Sequence, residues 1–127
     1  MTNKKILACD LDGTLLNSNG QISINNKTSI KEFITKGNYF IISTGRPLFR
    51  VQSIIDDIGC IRNTKNIVMC FNGGLIVDLE SNHIIQEIKL TQEELQEILD
   101  FSKEVKLDCL VYTKDLIHAF STIDSRP

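Results

Sequence analysis

Ile6-Leu7-Ala8-Cys9-Asp10-Leu11-Asp12-Gly13-Thr14 is a short apolar run that breaks abruptly into carboxylates, a glycine and a hydroxyl. Its apolar half, from Lys5 to Cys9, reads as a strand buried on both faces and central in a parallel sheet. Gly13, Asn17, Ser18, Asn19 and Gly20 then argue for a loop or small flap rather than a helix. Two later runs end in the same way: Tyr39 to Ser43 breaks into Thr44-Gly45-Arg46-Pro47, and Asn66 to Phe71 breaks into Asn72-Gly73-Gly74.

The segments between these strands have helical period. Ile30, Phe33 and Ile34 form one stripe after Ser23, with Gly37 where a closing glycine belongs. Val51, Ile54, Ile55 and Ile58 form another, with Pro47 suited to its first turn and Gly59 at its end. Strand, helix, strand, helix, strand is the pattern of a doubly wound, Rossmann-like α/β sheet, and ligands gather beyond the carboxyl ends of its strands. Asp10 to Thr14, Ser43 to Arg46 and Asn72 to Gly74 all fall at such ends. Leu75 to Asp78 and His83 to Ile88 read as a β-hairpin. Thr91 with Glu94 forms a capping box for a helix carrying Leu95, Ile98, Leu99 and Val105, and two short strands follow, Cys109 to Tyr112 and Leu116 to Phe120.

Composition narrows the partners. The chain has 127 residues, is 42% hydrophobic and 24% charged, and carries a formal net charge of -2, which suits a globular domain and gives no pull toward nucleic acid or an anionic membrane. No apolar run approaches the ~20 residues of a membrane-spanning helix, and the amino terminus lacks the pattern of a secretory signal, so a cytoplasmic location is expected. Cys9, Cys60, Cys70 and Cys109 are widely spaced in apolar stretches, as expected of buried reduced thiols rather than a zinc site or disulfides.

Alternation places Asp10 and Asp12 on the same side of an extended stretch. Two carboxylates so close repel each other, which favours a bound cation or a raised pKa on one of them. With Mg2+, one carboxylate can attack phosphorus while the other protonates the leaving oxygen and later activates water. Gly13 lets backbone N–H groups approach an anion, Thr14 can cap the turn, and Thr44 with Gly45 offers a hydroxyl and amides to a phosphate. Each feature alone has a plainer reading: Asp-x-Asp-Gly occurs in turns and calcium loops, Thr44 can be a helix cap, Asn72-Gly73-Gly74 a turn and Arg46 a solvated charge. Their coincidence at three strand ends is what those plainer readings leave unexplained.

Asp10-Leu11-Asp12-Gly13-Thr14-Leu15-Leu16 resembles the first motif of the haloacid dehalogenase-like superfamily. Ile41-Ile42-Ser43-Thr44-Gly45-Arg46-Pro47 resembles its second motif in the form used by the Cof-type sugar-phosphate phosphatases, and Phe71-Asn72-Gly73-Gly74 resembles their segment after strand three. The resemblance implies residues 1–88 as the amino-terminal part of the hydrolase core and residues 89–127 as the start of an α+β cap. It implies Asp10 as nucleophile, Asp12 as general acid and base, and Mg2+ held by the Asp10 carboxylate and the Asp12 backbone carbonyl. Thr44 and the amides of Leu11 and Gly45 would hold the phosphoryl group of a small phosphorylated metabolite, with Arg46 and Asn72 facing substrate or cap. The family's lysine and its Gly-Asp-x-x-x-Asp-like stretch have no counterpart here, and Lys103, Lys106 and Lys114 lie in the cap segment. The chain is therefore expected to be the amino-terminal part of a longer protein, weak or inactive alone, with strand one left as an exposed edge open to self-association. Two rivals differ in class. One is a fragment that only binds phosphate or a partner chain; the other is a receiver-type switch, which would put its phosphorylated aspartate after strand three, where Asn72 stands.

Overall fold

The structure, a computed structural model, describes residues 3–62 and 64–121. The chain divides into two compact units, Met1–Ile88 and Lys89–Pro127.

The first unit is a five-stranded mixed sheet in the order β1-β2-β3-β4-β5, formed by β1 (Ile6–Cys9), β2 (Tyr39–Ser43), β3 (Ile67–Cys70), β4 (Leu75–Asp78) and β5 (Ile84–Glu87). β1, β2 and β3 are parallel, and β4 and β5 are added as antiparallel strands. Helix α1 (Ile24–Thr35) makes the crossover from β1 to β2, and α2 (Gln52–Ile58) the one from β2 to β3. Ser23 caps α1 by accepting from the N–H of Asn26 at 3.2 Å, and the N–H of Gly37 closes it on the Ile34 carbonyl at 2.8 Å. Pro47 precedes a short 3-10 turn, Leu48–Arg50, instead of entering α2 directly.

Successive crossovers in one direction across a sheet put their helices on the same face. Accordingly α1 and α2 lie side by side, joined by Lys27 Nζ and Asp57 Oδ1 at 2.5 Å. Phe40 and Ile42 of β2, Val68 and Cys70 of β3 and Leu75 and Val77 of β4 are buried in one cluster with Ile30, Ile34, Ile54, Ile55 and Ile58 of the helices. Ile41, Met69 and Ile76, on the opposite face, are only half-buried.

Strand one is the exposed edge expected of this chain, and not the central strand buried on both faces that its apolar run suggests. In this chain β1 pairs only with β2, lies at the sheet edge, and leaves Ile6 68% and Leu7 46% exposed. An apolar run becomes central only when a neighbour pairs with its second edge, and no described residue does so. The thiols are free, as expected, yet only Cys70 is fully buried. Burial pushes the Cys70 thiol up to about 11.

In the second unit α3 (Gln92–Glu104) precedes the antiparallel hairpin of β6 (Cys109–Tyr112) and β7 (Ile117–Phe120). The capping box forms in full: Thr91 Oγ1 accepts from Glu94 N–H at 3.2 Å, and Glu94 Oε2 accepts from Thr91 N–H at 2.7 Å. Residues 122–127 lie outside the described residues. No helix among the described residues is long and apolar enough to cross a membrane.

Candidate active site

Asp10 is the first residue beyond β1, and the chain then makes a wide turn over Leu11–Leu15. The N–H groups of Leu15 and Leu16 reach back five residues, to the carbonyls of Asp10 at 3.2 Å and Leu11 at 2.9 Å. Gly13 sits at the crest with φ +73, in open space, where a side chain would be strained. Leu11 is fully buried between exposed Asp10 and Asp12, so one apolar anchor holds two carboxylates in solvent. Thr14 Oγ1 donates to Asp10 Oδ2 at 3.1 Å. The flap expected after this turn is present as a bridge between Leu16 and Ile22, with Gly20 N–H donating to Asn17 O at 2.9 Å.

The second strand end interlocks with the third. Thr44 is buried; its N–H donates to Met69 O at 2.9 Å and its hydroxyl accepts from Arg46 N–H at 3.2 Å. Phe71 and Asn72 have φ of 52 and 55, a conformation that costs a non-glycine residue about 1–2 kcal/mol. Two hydrogen bonds offset that cost, Phe71 N–H to Arg46 O at 3.2 Å and Asn72 N–H to Thr44 O at 3.1 Å. They also set the Asn72 amide against Gly45, where a Cβ would stand 3.2 Å from Asn72 Oδ1. Glycine at 45 is thus a matter of close approach as well as of backbone amides.

Arg46 ties the first strand end to the second. Its Nε donates to Asp12 Oδ2 at 2.8 Å and its Nη2 to Asp12 Oδ1 at 2.5 Å, a two-pronged fork. This hydrogen bonding holds the Asp12 carboxyl below the usual carboxylate range and raises the Arg46 guanidinium. From the sequence a bound cation or a raised carboxyl is expected; the structure instead sets the Arg46 guanidinium on Asp12 alone and lowers that carboxyl.

All seven residues singled out from sequence, Asp10, Leu11, Asp12, Thr44, Gly45, Arg46 and Asn72, stand on three adjoining turns at the carboxyl ends of β1, β2 and β3. The Asp12–Arg46 pair was not legible, since the partners are 34 residues apart and each is plausible as a lone surface charge. The mutual bracing of the second and third turns was hidden too, because backbone hydrogen bonds leave no mark on residue type. Asn66 was read only as the start of a strand. Its side chain in fact accepts from Phe40 N–H at 2.7 Å, fixing β2 from the turn before β3, and no local signal in the sequence marks that amide as buried.

The sequence matches the haloacid dehalogenase-like hydrolase family over residues 7–124. A Bacillus subtilis protein named 5-amino-6-(5-phospho-D-ribitylamino)uracil phosphatase YwtE is 34% identical over 120 residues, 94% of this chain and 39% of that protein. Phosphatase YwpJ of the same organism is 41% identical over 76 residues, 60% of this chain and 25% of its own length. Among solved structures, a haloacid dehalogenase-like hydrolase from Bacteroides thetaiotaomicron superimposes with a TM-score of 0.80 at 26% identity, covering 95% of this chain and 45% of the other. The chain spans about two-fifths of the length of curated relatives it matches, 37%, 42% and 39% of three of them.

Proposed function

The chain belongs to the haloacid dehalogenase-like hydrolases, and we propose that it supplies the nucleophile side of a Mg2+-dependent phosphate-monoester hydrolase of Cof type, acting on small phosphorylated metabolites. The observation that carries this reading is the convergence on three adjoining strand ends of a solvent-facing carboxylate pair, a buried threonine and a glycine turn. Residues 1–88 are then the first part of the core, and residues 89–127 the start of a cap.

In this reading the Asp10 carboxylate attacks phosphorus, forming an aspartyl phosphate as the bond to the leaving oxygen breaks. Asp12 gives its proton to that oxygen. Water then attacks the phosphorus and passes a proton to Asp12, the bond to Asp10 breaks, and inorganic phosphate leaves. Thr14, donating to Asp10 Oδ2, keeps the nucleophile oriented. Thr44 and the amides of Leu11 and Gly45 bind the phosphoryl oxygens, stabilising spread charge by fixed dipoles. Asn72 and Arg46 border the site on the substrate side. The donors available to a metal are hard oxygens, the exposed Asp10 carboxylate and the adjacent Asp12 carbonyl, which suits Mg2+, a cation that keeps several waters. Bound there, Mg2+ would neutralise charge between the phosphoryl group and Asp10.

The test is labelling with radioactive acetyl phosphate in Mg2+, with the label mapped by peptide mass. Label on Asp10, absent in Asp10→Asn and longer-lived in Asp12→Asn, is the expected result. No label in the native chain, alongside measurable phosphate binding, would put the binding-only reading in its place.

A further inference from the structure

We infer that the Asp12 carboxylate and the phosphoryl group of a bound ligand compete for the Arg46 guanidinium, so that occupation of the site itself releases Asp12. The inference rests on the proposed phosphate site and adds to it a positioning residue and an order of events.

The geometry defines the competition. Arg46 spends its Nε and Nη2 edge on both Asp12 oxygens, at 2.8 and 2.5 Å. That planar edge fits a carboxylate and a phosphate equally well, and it cannot fully serve both. The Arg46 backbone is held by its N–H to Thr44 Oγ1 and by its carbonyl from Phe71 N–H, both 3.2 Å, so exchange of partner falls to the side chain. Thr44, two residues away, offers the hydroxyl assigned to the phosphoryl group and accepts from the Arg46 backbone N–H. On the other side, the Asp12 side chain is 60% exposed, so the carboxylate has room to turn away.

The chemistry gives the exchange a purpose. In the guanidinium fork both Asp12 oxygens are taken up as acceptors from Arg46. Asp12 must leave the fork before it can act as an acid. Arg46 is half-buried but Asp12 is exposed, and solvent-screened ion pairs are weak, so a doubly charged phosphoryl group arriving beside Thr44 is a strong rival for the same donors. Coupling of this kind is reciprocal: whatever weakens the Asp12 grip must tighten binding of the anion.

Nitrogen-15 NMR of the native chain titrated with inorganic phosphate in Mg2+ tests this, with the Gly45 amide reporting occupancy and the Arg46 Nε–H resonance reporting the fork. Without phosphate, Asp12→Asn should move the Arg46 resonance. With phosphate, that resonance should move along the same saturation curve as Gly45. Asp12→Asn should tighten phosphate binding about tenfold with Arg46 present and far less in an Arg46→Ala background, because there only charge repulsion is removed. Arg46→Lys, which keeps the charge and loses the fork, should behave like Arg46→Ala in this comparison. If Gly45 saturates while Arg46 does not respond, or if Asp12→Asn has the same effect in both backgrounds, the competition is overturned and phosphate binding stands. If neither resonance responds, the phosphate site falls with it.

Discussion

Asn66 is 1% exposed and uses its side chain at both ends: Oδ1 accepts from Phe40 N–H, and Nδ2 donates to the Thr64 hydroxyl. Its own carbonyl accepts from Leu79 N–H at 2.9 Å, so a single residue links β2 to the chain just after β4. Asn66→Leu should destabilise the first unit by about 1–3 kcal/mol, the cost of orphaning a buried donor, seen as a lower urea midpoint. Thr44 stands at the same scale with a different burden. Thr44→Val keeps the buried volume but removes the acceptor of the Arg46 N–H, and phosphate affinity by calorimetry should fall about tenfold. Thr44 stood out in the sequence because a polar break after an apolar run recurs at two other strand ends. Asn66 was not, because nothing local separates a buried asparagine from one in a turn.

Helix α3 shows how much an element can owe to one local pattern. Its capping box could be read from Thr91 and Glu94, and the structure forms both of its hydrogen bonds. Thr91→Ala should therefore cost the helix about 1 kcal/mol, read as lost helical circular dichroism. Hydrogen bonds from the Thr91 backbone and hydroxyl hold the Glu94 carboxyl below its usual range. A carboxyl depressed on folding contributes stability that is full above its unfolded pKa and is lost as pH falls through its folded one. The capping contribution should thus persist at neutral pH and disappear in acid, and Glu94→Gln should flatten that acid loss. Elements whose limits depend on neighbours were less legible. Pro47 opens a 3-10 turn, and β3 is shorter than its apolar run because Asn66 and Phe71 are claimed by turns at either end.

For the whole molecule the contrast between the units decides behaviour. Among the described residues, every buried hydrophobic one lies between Leu11 and Leu79, in the first unit, whereas Ser102 is the buried residue in the second. Ile98, Phe101, Leu107, Leu110 and Phe120 of that unit are exposed. Amides of α3, β6 and β7 should consequently exchange with solvent far faster than those of β2 and β3, measurable by hydrogen exchange with mass spectrometry. β1 presents an unpaired edge beside exposed Ile6 and Leu7, the arrangement that invites strand pairing between copies. Leu7→Lys should reduce concentration-dependent association in sedimentation experiments; no change, with the native chain associating, would place the contact elsewhere.

The order of strands and helices, the closing glycine at Gly37, the cap at Thr91 and the three polar strand ends were settled by local pattern, because period, capping chemistry and turn residues act over a few positions. The family resemblance rested on those same short strings. Tertiary structure alone decided that Arg46 grips Asp12 and that the Asn72 turn braces Gly45 and Thr44. Both join residues far apart in sequence, and side-chain pairing and backbone bracing depend on what lies next to a residue in space.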